Sequence, residues 1–338
     1  MPELPEVETG RKLIHEKCLG LRILKAKFLD DSIVFPDVAS KDLEKSLEGK
    51  VLKDTGRFGK YFYLVFNLGP CLVGHLGMTG NLEFSDGSSI FLVKSNSGAE
   101  KSWPPRFTKF ELSFGDDKGE LLKLALTDPR RLSRFKLIDK PLSSEPISKL
   151  GFDPIINPPS LSEFIEMVRC RRTPIKALLL NQAFSAGVGN WIADEVLYQS
   201  RVHPEQHSNS LSDEQIARIL SNMKEICRIA ISFKADYRQF PKTWIFGYRW
   251  NKGKKSAENL IDGRKIVYLT VGGRTSAVVP EVQKIEKSVA KVSPAKKTTV
   301  TVAKKAVKAK VLSKEKILPT QPDISIRRSL RIIARNLK

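Results

Sequence analysis

Two prolines and three glutamates open the chain, in the run Met1-Pro2-Glu3-Leu4-Pro5-Glu6-Val7-Glu8. Those types at that spacing can do chemistry. Methionine aminopeptidase removes Met1 readily before a small residue, and Pro2 then carries a free secondary amine. The reference pKa of an α-amine lies just above neutrality, so a useful fraction is unprotonated in a cell. Such an amine attacks a carbonyl carbon and forms a Schiff base. Glu3 and Glu6 stand close enough in sequence to carry protons for it. A plainer reading makes this an acidic first helical turn with Pro5 at its first position. That reading accounts for Pro5, Glu6 and Glu8 and leaves Pro2 and Glu3 without a reason.

Four further segments hold residues of interest, each with two readings. Lys60, after the glycine turn Arg57-Phe58-Gly59, is an exposed hairpin lysine, or else a phosphate contact or second proton carrier. Gly74-His75-Leu76-Gly77-Met78-Thr79-Gly80 is a turn with Met78 folded inward, or a loop that lets backbone approach a ligand and offers Met78 as an apolar wedge. In Asp128-Pro129-Arg130-Arg131-Leu132 the two arginines are solvated, or reach a groove or phosphate. Gly187-Val188-Gly189-Asn190 is a tight helix connection, or a set of backbone N–H groups for phosphate.

The elements that must position these groups follow from periodicity. Residues 5–19 read as a helix with Val7, Leu13, Ile14 and Cys18 on its apolar side and Gly20 as stop. Strands are expected at 21–29, 51–57, 60–66, 71–76, 107–114, 121–127 and 134–138, with a short helix at 41–47 capped by Ser40. That spacing suggests a sandwich or flattened barrel. Residues 94–106 read as a polar loop. From about Pro141 the pattern turns helical. Ser160-x-x-Glu163 is a capping box opening a helix to Arg172. Thr173-Pro174 starts a helix over 175–181, and 191–200 forms another. Ser212-x-x-Gln215 caps a long one through Ile231. Runs at 265–269 and 276–279, joined across Gly272-Gly273, make a hairpin. Residues 284–338 form a low-complexity basic tail, expected to be disordered. The reading is thus an α+β multidomain protein: a catalytic β-sandwich with an N-terminal helix over 1–140, a helical domain over 141–235, a finger-like hairpin over 236–283, and the tail.

The formal net charge is +21. The tail holds 16 Lys or Arg against 3 Asp or Glu, leaving about +8 on the first 283 residues. A globular part that is basic without its tail favours a polyanionic partner. The 4 cysteines (18, 71, 170, 227) are scattered through apolar runs, read as core residues, and form no zinc pattern. His203 and His207 share a loop without cysteines. A metal-dependent nuclease would need clustered carboxylates, and none occur outside the N-terminus. No apolar run is long enough for a membrane span, and no signal or transit peptide precedes the acidic start.

Taken together, these segments are similar to one known pattern. Met-Pro-Glu-Leu-Pro-Glu-Val-Glu resembles the N-terminus of the formamidopyrimidine-DNA glycosylase family. The order Gly59-Lys60, His75-Leu-Gly-Met-Thr-Gly80, Asp128-Pro-Arg-Arg131 and Gly187-Val-Gly-Asn190 resembles that family too, over residues 2–283. The resemblance implies a bifunctional glycosylase and abasic-site lyase of base excision repair, with damaged double-stranded DNA as its partner. Pro2 would be the Schiff-base nucleophile and Glu3 the proton carrier, with Glu6 ordering the site. Lys60, in the catalytic set, and His75 would bind phosphate near the lesion. Met78 and Arg130 would fill the gap left by the flipped nucleotide, with Arg131 beside them on DNA. The helical domain would be a helix–two-turn–helix module holding DNA through Asn190. The departure lies at Val279-Pro280-Glu281-Val282-Gln283, where the family usually closes a zinc finger with two cysteines. The finger is therefore expected to be zincless, with Arg274 gripping phosphate and no metal or other cofactor. Gln239–Phe246 and Val271–Thr275 look like the plant and fungal branch. That branch suggests formamidopyrimidines and further-oxidised guanines as substrates; the tail's Lys-rich runs suit a nuclear location, and a monomer is expected. The active protein is expected to begin at Pro2.

Overall fold

Alternation builds the first half. Tyr61-Phe-Tyr-Leu-Val-Phe66 runs half-buried, buried, half-buried along its length, so one face is committed to a core. The computed structural model describes residues 2–90, 102–252 and 260–286. The tail from 287 onward and most of the expected loop 94–106 lie outside the described residues.

After helix α1 (Leu4–Cys18) come β1 (Arg22–Phe28), α2 (Ser40–Leu47), β2 (Leu52–Phe58), β3 (Tyr61–Phe66), β4 (Cys71–His75), β5 (Asn81–Phe84), β6 (Thr108–Asp116), β7 (Gly119–Thr127) and β8 (Arg134–Ile138). They form two antiparallel sheets, ordered β1-β6-β7-β5 and β2-β3-β4-β8. Between them Phe62, Phe110 and Phe135 interlock edge to face, with ring centres 5.2–5.9 Å apart around Phe135. Each such buried ring contributes about 1.5–3 kcal/mol. Val7, Ile14 and Cys18 of α1 enter the same core. Strand β5 escapes sequence reading because only Leu82 and Phe84 alternate in its four residues. Ser40 is the first residue of α2 rather than its cap; Ala39 precedes the helix and offers no side-chain cap.

The helical half comprises α3 (Leu161–Arg169), α4 (Ile175–Leu180), α5 (Asn190–Gln199) and α6 (Asp213–Ser232). Both expected capping boxes form, Ser160 with Glu163 and Ser212 with Gln215. Helix α3 stops three residues earlier than expected, and Pro174 sits at the N-cap of α4. Cys170, read as a core residue, is exposed just past α3, whereas Cys18, Cys71 and Cys227 are buried. Ile216, Ile219, Leu220, Met223, Ile226 and Cys227 make the buried stripe of α6. Leu4, the first residue of α1, packs into this helical core while Val7 packs into the sandwich. The start of the chain therefore joins both.

Strands β9 (Leu260–Ile261), β10 (Arg264–Lys265), β11 (Val267–Val271) and β12 (Arg274–Val278) complete the fold. The β11–β12 ladder runs up to Val271↔Arg274, and Gly272 and Gly273 turn with φ of 59° and 71°. Both angles need glycine or a residue that tolerates them, as in a two-residue hairpin. No helix among the described residues is long and apolar enough to cross a membrane.

Candidate active site

The site is built on the N-terminus of α5. The N–H groups of Trp191 and Ile192 donate to the two carboxylate oxygens of Glu3, at 2.9 and 3.2 Å. Exposed helix-end donors attract an anion, and here the anion belongs to the protein. The Gly187–Asn190 loop does not offer these two donors to a phosphate. Its glycines serve close approach instead. A Cβ on Gly187 would stand 2.8 Å from Leu4, and one on Gly189 would stand 2.2 Å from the Glu3 carboxyl carbon. The Leu4 N–H donates to the Gly187 carbonyl at 3.1 Å. Gln182 steadies the loop by donating to the Val188 carbonyl and accepting from the Gly187 N–H.

Glu6 accepts the Glu3 N–H at 2.9 Å. Burial raises the pKa of Glu3, against the attraction of Lys60 and the two helix N–H groups. Burial and the neighbouring Glu3 charge push Glu6 up to about 7. Both carboxyls are shifted toward the protonated form, and a raised pKa is the property a general acid needs.

Lys60 reaches this pair because the β2–β3 turn docks on the same loop. Gly59 has φ 58°, and a Cβ there would lie 2.9 Å from that of Ala186. Burial lowers the Lys60 pKa, Glu3 and Glu6 oppose that, and Arg274 adds to it. The lysine is half-buried beside two carboxylates, not an exposed hairpin residue. His75 lies on β4, paired in register with Tyr61, their rings 4.8 Å apart. Burial, then Lys60 and Arg134, depress its pKa to about 4, so it is neutral at pH 7. Its Nδ1 accepts the Gly77 N–H at 3.0 Å, which leaves the proton on Nε2.

Asp128 gathers the next two segments. Its carboxylate accepts from the Thr79 hydroxyl (2.6 Å) and from the N–H groups of Arg130, Leu132 and Ser133. Met78 and Arg130 are thus carried by one bonded unit. Met78 is half-buried and belongs to neither large core, and Arg130 is exposed. Arg131 has a partner distant in sequence. Its Nε and Nη2 both donate to Asp31, at 2.9 and 3.0 Å, from a left-handed backbone at φ 57°. The pair acts as a strut under the turn, and the Arg131 side chain stays about half exposed, at 49%.

Asn190 donates to the Thr275 carbonyl at 3.0 Å and so ties α5 to the hairpin that carries Arg274, which is exposed. Beneath it lies a network that sequence reading missed. Buried Lys176 donates to Asp194 (2.6 Å), Ser276 Oγ (2.7 Å) and the Thr275 carbonyl (2.9 Å), and Arg249 grips the other Asp194 oxygen at 2.7 Å. Val279, at one of the two positions where the family usually has a cysteine, is fully buried with Ile245, Ile261 and Ile266, and Val282 packs on them. Gln283 closes the turn by accepting the Val279 N–H and donating to the Val202 carbonyl. Apolar packing and buried charge hold the hairpin. Asp194→Ala leaves Lys176 and Arg249 as adjacent buried cations and is expected to cost about 3–5 kcal/mol, read by urea unfolding; a loss below about 1 kcal/mol would contradict this role. The available signal was a lone lysine in the apolar run Ile175-Lys-Ala-Leu-Leu-Leu180.

A second missed network joins the halves. Arg57 pairs with Asp153 at 2.5 Å and with Glu8 of α1 at 3.0 Å, all with little exposure. Asp153 also accepts the Gly59 N–H at 2.8 Å, which fixes the Lys60 turn.

Two buried carboxyls set a pH dependence. Burial pushes Glu195 of α5 up to about 8, against hydrogen bonds from Gln199 and the Phe246 N–H. With Glu6 near 7 and a reference of 4.5, the folded protein binds more protons than the unfolded chain across this window. Stability from both groups is full below the reference value and is lost as pH rises through the folded values. Melting temperature should fall from about pH 6.5 to about pH 8, above the range in which the depressed His75 pKa acts in the opposite sense. Glu195→Gln should flatten the upper part, and an unchanged slope would exclude Glu195 as its source.

Sandwich, helical module and hairpin, with two carboxyls of the N-terminus buried among them, define the class of helix–two-turn–helix DNA glycosylases. Residues 1–135 match the formamidopyrimidine-DNA glycosylase N-terminal domain, and residues 150–241 match the H2TH domain of the same enzymes. The chain is 39% identical over 301 residues to formamidopyrimidine-DNA glycosylase of Arabidopsis thaliana, covering 88% of this chain and 75% of that protein. Among solved structures it is similar to Lactococcus lactis formamidopyrimidine-DNA glycosylase non-covalently bound to DNA containing an abasic site. That match has a TM-score of 0.65 and 26% identity, over 83% of this chain and 99% of that one. A mutant of the same bacterial enzyme, in complex with Fapy-dG containing DNA, matches with a TM-score of 0.66 and 26% identity, over 84% and 100%. The chain belongs to the formamidopyrimidine-DNA glycosylase family.

Proposed function

We propose that the protein is a bifunctional glycosylase and abasic-site lyase that removes oxidised purines from duplex DNA through Pro2. The observation that carries this reading is the burial of Glu3, the residue next to Pro2, on the N–H groups of α5 and in the field of Lys60. A carboxyl so placed is costly, and it stands where a terminal amine would need a proton carrier.

In this mechanism Met1 is removed and the Pro2 amine attacks C1′ of a nucleotide flipped from the duplex. The C1′–N bond to the base breaks, and the base leaves with its electron pair and a proton. Glu3 protonates the sugar ring oxygen, the ring opens, and an iminium joins Pro2 to C1′. Loss of a C2′ proton expels the 3′ phosphate, and a second elimination expels the 5′ phosphate. Lys60, His75, Asn190 and Arg274 bind the phosphates around the lesion, and Met78 and Arg130 occupy the vacated space. Formamidopyrimidines and further-oxidised guanines are the proposed substrates, and the nucleus, suited to the Lys-rich tail, the proposed compartment.

The test is borohydride trapping. Protein beginning at Pro2, incubated with a duplex bearing one abasic site, should give a covalent adduct on reduction. Tight binding of that duplex without an adduct would mark a DNA-binding protein that lacks the chemistry.

A further inference from the structure

Phe107 is the exposed phenylalanine among the described residues, at 48% exposure. Its backbone is left-handed, with φ 65°. A bulky side chain there is a steric outlier that glycine would relieve at no cost. Among the described residues packing does not repay the strain, because Phe107 joins none of their apolar cores. The residue is nevertheless firmly placed. Its carbonyl accepts the Asp128 N–H at 3.0 Å, which extends the β6–β7 register one step past the Thr108↔Thr127 pair. The Arg106 guanidinium covers its ring at 4.5 Å. Asp128 is the residue whose carboxylate holds the Thr79 hydroxyl beside Met78 and the Arg130 N–H. An exposed aromatic ring, an exposed arginine and a half-buried methionine are therefore mounted on one hydrogen-bonded unit.

We propose that Phe107 is a base-stacking residue, which lays its ring against a nucleobase of the duplex at the damaged position and so supports the opened helix beside Met78 and Arg130. The proposal rests on the reading that damaged duplex DNA is the substrate. Strained backbone clusters at functional contacts, and a stacked aromatic tolerates any base because each base has a π-face.

The experiment measures binding to a duplex with one tetrahydrofuran residue, a non-reactive abasic analogue, and to the same duplex undamaged. Phe107→Gly removes the ring and fits the left-handed backbone. It should weaken binding of the tetrahydrofuran duplex about tenfold, with a smaller effect on undamaged DNA, while the protein's melting temperature stays level or rises. Phe107→Trp should restore most of the affinity. Binding within about twofold of wild type, an equal loss on both duplexes, or a fall in melting temperature that accompanies the loss would each overturn the stacking role. The analogue cannot form a Schiff base, so these outcomes are independent of Pro2. A wild-type protein with no preference for the tetrahydrofuran duplex would instead count against the proposed function itself.

Discussion

Protein that keeps Met1, or carries Pro2→Gly behind a retained Met1, gives no borohydride adduct above background on abasic DNA. The expected loss is at least about 10³-fold, the scale seen when a covalent nucleophile is removed. The reason is local. A peptide nitrogen has no free lone pair for attack, whereas the terminal amine of Pro2 is only partly protonated near neutrality. The rest of the site should survive this change. Glu3 remains bonded to the Trp191 and Ile192 N–H groups through its own side chain, and Lys60 and His75 stand on the sandwich. Binding of a tetrahydrofuran duplex therefore separates lost chemistry from lost structure: it should stay within about threefold of the Pro2 protein. An adduct of undiminished yield from the Met1-retaining protein would sink the terminal-amine mechanism. The nucleophile would then have to be sought elsewhere, with Lys60 first in line.

Gly189→Ala should slow base release on the order of 10²-fold. The backbone of Gly189, at φ −123° and ψ −160°, is open to any residue, so alanine meets no conformational penalty. The obstacle is space. Its Cβ would lie 2.2 Å from the Glu3 carboxyl carbon and 2.4 Å from Oε1. The carboxylate has to move by more than an ångström, away from the two N–H groups that orient it. A double-mutant cycle checks the cause. If alanine acts only by displacing Glu3, then Gly189→Ala combined with Glu3→Gln is no slower than Glu3→Gln alone. Additive losses would mean that Gly189 contributes by another route, and an unimpaired Gly189→Ala enzyme would mean that the position of Glu3 does not matter.

The parts of this protein that were legible in its sequence are those set by neighbours along the chain. Strand alternation, the Ser160 and Ser212 capping boxes, the Gly272-Gly273 turn and the apolar side of α1 each depend on residues a few positions apart. The departures also have local causes. Strand β5 is too short to show a period, and Cys170 falls just past the end of α3, where an apolar neighbourhood in sequence no longer implies burial. Arg131 looked equivalent to Arg130 because the two are adjacent. Only Asp31, 100 residues away, distinguishes the strut from the free side chain.

Residue type and spacing alone marked Pro2 and Glu3 as candidates for chemistry, since a terminal amine and a carboxyl carry their chemistry wherever they are placed. What they could not disclose is the environment in which Glu3 sits. The tertiary structure seats Glu3 on a helix end 188 residues away, brings Lys60 beside it through a docked turn, and raises its pKa by burial. Likewise, valines at 279 and 282 announced the missing cysteines, but how the hairpin is held was decided by Lys176, Asp194 and Arg249 meeting in its base. Chemical identity is a property of one residue. Desolvation, charge pairing and steric fit are properties of residues far apart in the chain, and they exist only once it has folded.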